Sequence, residues 1–309
     1  MASHWTAANI PPQTAKLALI TGANSGIGFH AAKQLAAKGC TVILACRDLQ
    51  KAEAARDRIL VELPEASLEI ISLDLASLAS VRSAASTFLA GGRTLDLLIN
   101  NAGVMALPKR QLTPDGFEMQ FGTNHLGHFA LTGLLLPAIL SAPAARIITV
   151  SSIAHKSGVI RFDDLQWNHG YKPWPAYRQS KLANLLFGFE LQRRLDHAHT
   201  SARSIVVHPG VSATNLFAAG PGKGSGLLAK IVPPFIELMA QSDAQGALPT
   251  LFAAVSPDAQ GGLYYGPDGW REMRGWPVEV KAEPQAYDED AAARLWQISE
   301  ELTGVRFKF

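Results

Sequence analysis

Short apolar runs and stretches with helical spacing alternate along the chain. The first apolar run covers residues 16–21 and ends in a glycine-rich turn, and the second covers 41–45. Short apolar or β-branched runs that end at turn residues are typical of buried strands. Four further runs of this kind follow at 68–73, 95–99, 146–150 and 203–207. The pattern therefore predicts strands at these six places.

Helical patterns lie between these runs. Residues 26–38 form the first, which ends at Gly39, a residue favoured at helix C-termini. Asp48 suits the N-cap of a second helix. Further helices are predicted at 78–90, 115–140 and 176–196, with a last one near 288–303. Strands that alternate with helices favour right-handed βαβ units.

We therefore predict an α/β protein with a Rossmann fold, a doubly wound parallel sheet with helices on both faces. A chain of 309 residues is long enough for one large domain or two small ones. Because no repeat, charge block or low-complexity linker divides it, we expect a single domain over residues 1–309. In this interpretation residues 1–14 are an N-terminal tail, and residues 266–309 are a C-terminal extension that contributes packing.

The composition restricts the partners of the protein. The chain is 48% hydrophobic and 17% charged, with a formal net charge of +2. These values are typical of a soluble globular protein and lack the basic excess of a nucleic-acid binder. Residues 1–14 contain no basic segment followed by an apolar core, and no run of about 20 apolar residues occurs elsewhere. We expect no nucleic-acid partner, no signal peptide and no integral membrane span.

The two cysteines indicate whether the protein works in a reducing or an oxidising compartment. Cys40 and Cys46 flank the second predicted strand, about 20 Å apart if it is extended. A disulfide cannot span that distance. Free thiols without a signal peptide favour a reducing compartment, so we expect a cytoplasmic protein.

The turn after the first strand has the sequence TGANSGIG and opens the first predicted helix. Glycines let a backbone turn tightly and approach a pyrophosphate, whose charge is favourable at a helix N-terminus. The spacing is G-x-x-x-G-x-G, not the G-x-G-x-x-G of the general dinucleotide fingerprint. We predict that this turn binds a dinucleotide through Gly22, Asn24, Ser25, Gly26, Ile27 and Gly28.

The end of the second strand indicates which dinucleotide is bound. An acidic residue there usually contacts the ribose of NAD, whereas an arginine accommodates the 2′-phosphate of NADP. Cys46 occupies the acid position and Arg47 follows it. Asp48 is the alternative ribose ligand, although an N-cap role would occupy its carboxylate, and Arg47 could equally be a solvated surface charge. We favour NADP as the cofactor.

Tyr177 and Lys181 are spaced to share one face of a helix, with Cβ atoms roughly 5–6 Å apart. An ammonium so close to a phenol favours the phenolate, so we expect Lys181 to lower the pKa of Tyr177 toward neutral pH. Such a tyrosine can give a proton to a carbonyl oxygen or remove one from an alcohol. Most pairs with this spacing are solvated helix faces, so the assignment depends on the other motifs.

Several motifs together resemble the short-chain dehydrogenase/reductases over about residues 15–265. Their order and spacing match that family: G-x-x-x-G-x-G at 22–28, NNAG at 100–103, Asn124, Ser152, Y-x-x-x-K at 177–181 and PG at 209–210. ACRD at 45–48, VSSIAH at 150–155 and SKLAN at 180–184 are most similar to retinol dehydrogenases and related bacterial oxidoreductases. The gap between Ser152 and Tyr177 is about a dozen residues longer than in compact members, and that insertion also occurs in the retinol dehydrogenase-like branch.

The resemblance implies a role for further residues in cofactor binding. Asp74 and Leu75 follow the third strand, where the family binds adenine, although Asp74 could instead cap the next helix. Thr214 resembles the threonine that contacts the nicotinamide amide, and Lys181 the lysine that contacts the nicotinamide ribose. The other implied cofactor contacts are Asn101, Ala102, Gly103, Tyr177, Pro209, Gly210 and Val211.

The catalytic set implied by the resemblance is Asn124, Ser152, Tyr177 and Lys181. Ser152 would stabilise negative charge on the substrate oxygen, and Ser151 is the alternative, because only one of two successive strand residues can face the cleft. Asn124 lies in a helical stretch whose composition disfavours helix, which indicates either a kinked surface helix or a carbonyl free to hold a relay water.

His125 and His128 raise the question of a metal site, since they lie on one helix face. Neither a third ligand nor an H-E-x-x-H pattern accompanies them. We expect no metal.

Residues 215–240 combine a glycine-rich stretch at 220–226 with an apolar one at 227–239. This resembles the substrate lid of the family, although a core helix or a subunit interface would have the same composition. An apolar segment near Tyr177 favours a small lipophilic or aromatic carbonyl, or the corresponding alcohol, as substrate. A homodimer or homotetramer is possible for such a chain.

The sequence thus predicts an NADP-dependent oxidoreductase that interconverts a lipophilic ketone or aldehyde and its alcohol. A catalytically silent dinucleotide sensor would be expected to lack Tyr177 or Lys181. A sugar-nucleotide epimerase of the extended relatives would have another glycine spacing. An NAD-dependent alcohol dehydrogenase of the same fold remains the alternative if Asp48 rather than Arg47 contacts the ribose.

Overall fold

The computed structural model describes residues 4–211 and 241–309. Thr214 and the segment 215–240, interpreted above as a lid, therefore lie outside the described residues.

An eight-stranded sheet forms the centre of the protein, in the order β3-β2-β1-β4-β5-β6-β7-β8. The first seven strands are parallel, and β8 pairs antiparallel with β7. The strands are β1 (Leu17–Thr21), β2 (Thr41–Cys46), β3 (Leu68–Ser72), β4 (Leu97–Asn100), β5 (Arg146–Val150), β6 (Arg203–Val207), β7 (Tyr264–Pro267) and β8 (Pro277–Glu279). All six strands predicted from the apolar runs are present, and the doubly wound α/β fold is confirmed.

Helices cover both faces of the sheet. In the described residues they are α1 (Gly26–Ala36), α2 (Leu49–Glu62), α3 (Leu78–Ala90), α4 (Met119–Phe121), α5 (Gly127–Leu140), α6 (Pro173–His197), α7 (Asp243–Gly246), α8 (Leu248–Val255) and α9 (Glu289–Thr303). A π-helical segment, Gly122–Leu126, joins α4 to α5, and short 3₁₀ segments lie at Ala7–Asn9, Ile153–Ser157, Trp270–Glu272 and Pro284–Tyr287.

Alternating residues of the central strands serve two separate cores. In β1, Ala18 and Ile20 pack with α1 and α8 on one face, while Leu17 and Leu19 pack with α3 and α5 on the other. Side chains of a strand alternate between the faces of a sheet, so a strand covered on both sides is apolar throughout. All five residues of β1 are buried.

The helix predicted at 115–140 differs from the observed one. The observed helix begins at Met119 as α4, passes through the π-helical segment and continues as α5. Gly127 of α5 lies so close to Leu75 that a Cβ would be 2.4 Å from the Leu75 carbonyl oxygen. A single π turn inside a helix changes the direction of its side chains and is frequent at functional sites.

The C-terminal extension completes the sheet and one core. Its strand β8 forms the edge of the sheet beside β7, whose last two residues also belong to the extension, and α9 packs on α6. Trp296 is 2% exposed, and its ring stacks on Phe187 at 5.8 Å and contacts Phe307 at 4.5 Å. The last helix was predicted from its pattern, and Asp288 caps it by accepting a hydrogen bond from the Ala291 amide. At the other end of the chain, Trp5 packs on Phe252.

Within residues 4–211 and 241–309, no helix has both the length and the apolar character that a bilayer span requires. Cys40 and Cys46 are free thiols, as predicted, and both are buried, Cys40 just before β2 and Cys46 as its last residue. Burial raises the pKa of Cys40 to about 12 and that of Cys46 to about 11, so both thiols stay protonated at neutral pH.

Candidate active site

The predicted site residues within the described part of the chain follow the carboxyl ends of β1 to β6. Strand order reverses between β1 and β4, because β1 pairs with β2 on one side and with β4 on the other. In open α/β sheets, ligands bind in the crevice at such a switch point. The topology therefore gathers the glycine-rich turn, the NNAG segment and the catalytic candidates at one edge.

The glycine-rich turn is packed tightly against the segment after β4. A Cβ on Gly28 would lie 2.6 Å from the side-chain nitrogen of Asn101 and 2.6 Å from the Gly22 carbonyl oxygen. Only glycine fits there, and the same absence of a side chain leaves the backbone open to a ligand. The Asn101 side chain also joins this segment to β1, because it donates a hydrogen bond to the Thr21 carbonyl at 2.8 Å.

The start of α1 suits an anion. Ser25 is the N-cap but makes no side-chain cap hydrogen bond, and the first turn contains no acidic residue. The first amides of a helix lack partners within it, and the helix dipole adds positive potential. Gly26, Ile27 and Gly28 thus fit a dinucleotide pyrophosphate.

At the end of β2, the side chain of Asp48 is bonded within its own helix, whereas that of Arg47 is exposed to solvent. Asp48 caps α2 by accepting from the Lys51 amide at 3.1 Å, and its carboxylate pairs with the Lys51 ammonium at 3.0 Å. Those hydrogen bonds lower the pKa of Asp48. Arg47 is exposed beside it. The predicted N-cap role of Asp48 is confirmed.

Asp74 and Leu75 follow β3. The Asp74 side chain accepts from the Ala76 amide at 3.0 Å, whereas Ser77 is the N-cap of α3. The alternative in which Asp74 caps α3 is therefore wrong. Leu75 is 5% exposed.

The residues after β6 form a sharp turn that another loop covers. Gly210 has φ 68°, and a Cβ on it would lie 2.4 Å from the Met273 carbonyl oxygen. The amide of Val211 donates to that same oxygen at 2.8 Å, and the Pro209 carbonyl accepts from the Gln241 side chain. These contacts hold residues 209–211 at the carboxyl edge of the sheet.

Ser151 and Ser152 face opposite ways, as strand alternation requires. The Ser151 hydroxyl is buried and donates to the Lys181 carbonyl at 2.7 Å, inside the packing of β5 on α6. The Ser152 hydroxyl accepts from the Ala154 amide at 3.1 Å and lies within hydrogen-bonding reach of the Tyr177 phenol. The geometry thus puts Ser152, not Ser151, beside Tyr177.

Tyr177 and Lys181 project from α6 next to each other, with the Lys181 ammonium 5.8 Å from the centre of the phenol ring. The expected lowering of the pKa of Tyr177 is wrong for this structure. Burial raises the pKa of Tyr177 to about 12, against a smaller opposite effect of the Ser152 hydroxyl. Burial also lowers the pKa of Lys181 to about 8. Desolvation of both groups outweighs the attraction that the sequence spacing suggested.

Asn124 lies in the π-helical segment, with its side chain directed at the segment after β4. Its amide oxygen accepts from the Val104 amide at 2.8 Å, and its amide nitrogen donates to the Val104 carbonyl and the Ser180 hydroxyl, each at 2.9 Å. A Cβ on Gly103 would be 3.1 Å from the Asn124 amide oxygen and 3.6 Å from the Lys181 ammonium. Asn124, Gly103 and Lys181 therefore form one compact group.

His128 supports this group in a way that the sequence did not reveal. Its Nδ1 donates to the Asn124 carbonyl at 3.0 Å, which leaves Nε2 to accept from the Thr21 hydroxyl at 2.9 Å. The Thr21 oxygen in turn accepts from the amides of Asn101 and Ala102, each at 2.9 Å. Burial lowers the pKa of His128 to about 4, so the ring is neutral. Only the position of Thr21 directly before the glycine turn hinted at this network.

The two histidines considered as metal ligands, His125 and His128, make hydrogen-bonding contacts with other side chains. His125 is buried and contacts the Ser299 hydroxyl at 2.9 Å, while burial lowers its pKa to about 3. In the part of the chain that the structure describes, no three His, Cys, Asp or Glu side chains converge as a metal site would require.

Apolar side chains surround the Tyr177 ring. Met105 and Ala106 pack directly on it, with Ala154 at the edge of the cluster. Trp174, one turn earlier on α6, is 42% exposed and meets the Tyr177 ring edge-on at 6.1 Å. We call Met105, Ala106, Ala154 and Trp174 the apolar wall. Its exposed member, Trp174, was not identified from the sequence, because a tryptophan at the start of a helix carries no distinguishing pattern.

Comparison with known proteins places the chain in a family. The short chain dehydrogenase family model matches residues 16–221, and the chain belongs to that family. It is an oxidoreductase of the kind that acts on alcohols and carbonyls with a nicotinamide dinucleotide.

Individual relatives are similar over most of the chain. Human retinol dehydrogenase 13 is 42% identical over 301 residues, which cover 96% of this chain and 86% of that protein. Mouse polyprenol dehydrogenase is 39% identical over 302 residues, with 96% and 86% covered. Among solved structures, an uncharacterized protein from Mycobacterium paratuberculosis is 43% identical, with a TM-score of 0.82 and coverage of 99% of this chain and 100% of that one.

Proposed function

We propose that this protein is an NADP(H)-dependent oxidoreductase that interconverts a lipophilic ketone or aldehyde and its alcohol. The observation that carries the proposal is the position of the Tyr177 phenol, beside the Ser152 hydroxyl and the Lys181 ammonium and under the apolar wall. A proton donor, a hydrogen-bond donor for the substrate oxygen and a cation thus meet beside an apolar surface.

Each residue has a distinct task in the reductive direction. When bound, the nicotinamide would supply a hydride to the carbonyl carbon. Tyr177, protonated because burial raises its pKa to about 12, gives a proton to the carbonyl oxygen. Ser152 donates a hydrogen bond to that oxygen as negative charge develops. Lys181, whose ammonium lies 5.8 Å from the phenol ring, stabilises the tyrosinate that remains.

The proton that Tyr177 loses has a route back to solvent in this proposal. The Lys181 ammonium and the Asn124 side chain both lie beside Gly103, and we propose that Lys181 and the Asn124 main-chain carbonyl hold a water between them that completes a relay. The Asn124 carbonyl accepts one hydrogen bond from His128, and a carbonyl has a second lone pair for that water.

The pH dependence of reduction follows from two of these groups. Reduction needs a protonated Tyr177 and a charged Lys181, whose pKa values are about 12 and about 8. We expect kcat/KM for reduction to be level at neutral pH and to fall as the pH rises through about 8, because Lys181 loses its charge first. The measurement is the pH profile of reductive kcat/KM at fixed ionic strength. A profile that stays level beyond pH 10 would show that the Lys181 charge is not required.

The choice of NADP rests on the end of β2. Asp48 is engaged by the amide and the ammonium of Lys51, whereas Arg47 is exposed and available to a phosphate. Guanidinium groups bind phosphate oxygens with two parallel hydrogen bonds. Gly22, Asn24 and Ser25 would contact the pyrophosphate, Asp74 and Leu75 the adenine, and residues 101–103 the adenosine ribose.

The substrate class rests on the apolar wall and on the relatives. Two relatives are named as dehydrogenases of retinol and of polyprenol, both lipophilic alcohols. The wall offers an exposed tryptophan beside the proposed proton donor. We propose that long apolar aldehydes and ketones are preferred over short ones, since each buried methylene contributes up to about 0.8 kcal/mol.

Substitution of Trp174 by alanine tests this preference. We expect Trp174→Ala to lower kcat/KM for long-chain apolar aldehydes by roughly 5- to 30-fold, and for acetaldehyde by less than about twofold, because only the long substrate reaches the ring. The measurement is nicotinamide absorbance with aldehydes of increasing length.

Val61→Ala is the control, since Val61 is 83% exposed on α2 and lies outside the wall. Equal losses for long and short aldehydes would contradict the role of the wall in selecting the substrate. No loss with either aldehyde would place the substrate elsewhere.

We also propose a cytoplasmic location, on the basis of the two free, buried thiols. Assembly as a homodimer or homotetramer stays a prediction, which the sedimentation coefficient of the purified protein would test.

A further inference from the structure

A loop of the C-terminal extension lies against both sides of the proposed reaction site. Residues 268–276 connect β7 to β8. Within this loop, Arg271 has φ 51° and Glu272 has φ 59°. Both values fall in the left-handed region, which residues other than glycine rarely adopt and which persists only where surrounding contacts hold it. Contacts of the Glu272 side chain hold it in this conformation.

The Glu272 carboxylate joins two segments that are far apart in sequence. One oxygen lies 2.7 Å from the Lys156 ammonium, and the other lies 3.1 Å from Nε2 of His208. The imidazole N–H is not well aligned with that oxygen, so the second contact is a close charge–dipole pairing. Although burial opposes ionisation of Glu272, its close contacts with His208 and Lys156 lower its pKa to about 2. The carboxylate is thus charged at neutral pH.

Its two partners flank the residues that the proposed reaction uses. Lys156 belongs to the 3₁₀ segment that follows Ser152 directly. His208 is fully buried and precedes Pro209, and its Nδ1 accepts from the Gly210 amide at 3.2 Å. One side chain from the extension therefore contacts the segment of the oxyanion donor and the segment proposed to border the nicotinamide.

Backbone atoms of the same loop also form hydrogen bonds that hold residues 209–211 in place. The Met273 carbonyl accepts from the Val211 amide at 2.8 Å, and the Gly275 amide donates to the side chain of Gln241 at 3.2 Å. Gln241 in turn donates to the Pro209 carbonyl. The loop thus holds residues 209–211 through side-chain and main-chain hydrogen bonds together.

We propose that Glu272 is a positioning residue, which fixes the distance between the Ser152 segment and residues 209–211 and so places the nicotinamide ring relative to the reacting oxygen. This inference rests on the proposed function, because that assigns residues 209–211 to the nicotinamide. A displacement of about 1 Å between reacting groups can lower the reaction rate by about 10²-fold. A fixed separation would therefore increase the rate of hydride transfer. The C-terminal extension would then be part of the site.

The test compares a whole dinucleotide with its adenosine half. Affinities of wild type, Glu272→Ala and Glu272→Gln are measured by calorimetry for NADP and for adenosine 2′,5′-bisphosphate, or for NAD and ADP if wild type prefers NAD. We expect Glu272→Ala to weaken the dinucleotide by roughly tenfold and the adenosine probe by less than twofold. Glu272→Gln should fall between, because its amide oxygen can still meet His208 while the charge toward Lys156 is lost.

Glu279→Ala is the matched control, since Glu279 is an exposed carboxylate on β8 in the same extension. Hydrogen exchange of the free protein provides a second measurement, in which amides of 208–211 should exchange faster in Glu272→Ala and Glu272→Gln but not in Glu279→Ala. Equal weakening of both probes, or no weakening of either, would overturn the positioning role. A wild-type protein that binds both probes equally would instead contradict the assignment of residues 209–211 to the nicotinamide, and the inference with it.

Discussion

Tyr177→Phe should reduce carbonyl reduction by about 10²- to 10⁴-fold, the range typical of a lost general acid. The phenylalanine keeps the ring that packs on Met105 and Ala106 and removes only the hydroxyl beside Ser152. Affinity for the dinucleotide should therefore change little. The measurement is single-turnover reduction of a long-chain aldehyde at saturating cofactor, with cofactor affinity determined separately.

Tyr287→Phe serves as the control for this variant. Tyr287 is 49% exposed, and its hydroxyl accepts a hydrogen bond from the Ala282 amide in the C-terminal extension. Its loss should change the rate by less than about twofold. A Tyr177→Phe protein with near-native turnover would remove Tyr177 from the mechanism.

Arg47→Ala should weaken NADPH by roughly 10- to 150-fold and NADH far less. This range corresponds to about 1.5–3 kcal/mol, the contribution of a hydrogen bond to a charged group. The physical reason is that the 2′-phosphate, absent from NADH, is the group that the guanidinium would bind. Dissociation constants for both cofactors, measured at one ionic strength, give the comparison.

Arg56→Ala is suited as the control, because Arg56 lies on the neighbouring helix α2 and pairs with Asp57 at 2.9 Å. It should affect both cofactors equally and weakly. Equal, large losses of NADPH and NADH in Arg47→Ala would mean that Arg47 does not select the cofactor, and the choice would pass to Asp48 or another residue.

The elements and part of the site could be predicted because their signals are local. The apolar runs gave the six strands from β1 to β6, and the N-cap preference of aspartate identified Asp48 correctly. Strand alternation predicted that only one of Ser151 and Ser152 faces the cleft, and the family pattern indicated Ser152, which lies beside Tyr177, whereas Ser151 bonds to α6.

What could not be predicted depends on contacts between distant segments. The Thr21–His128 contact spans 107 residues, and the Lys156–Glu272 contact spans 116. The raised pKa of Tyr177 depends on how completely the fold buries the pair, which i,i+4 spacing does not reveal. Strand β8 has only three residues, two of them exposed, so no apolar run marks it.

The most direct test of the proposed reaction follows the hydride itself. The wild-type protein is incubated with NADPH that carries deuterium at both C4 positions of the nicotinamide and with a long-chain apolar aldehyde, and the alcohol is analysed by mass spectrometry. We predict one deuterium at the carbinol carbon, with product formation strongly reduced in Tyr177→Phe. Tight binding of NADPH without deuterium transfer to any aldehyde or ketone in a panel of increasing length would contradict the account and indicate a catalytically silent dinucleotide sensor.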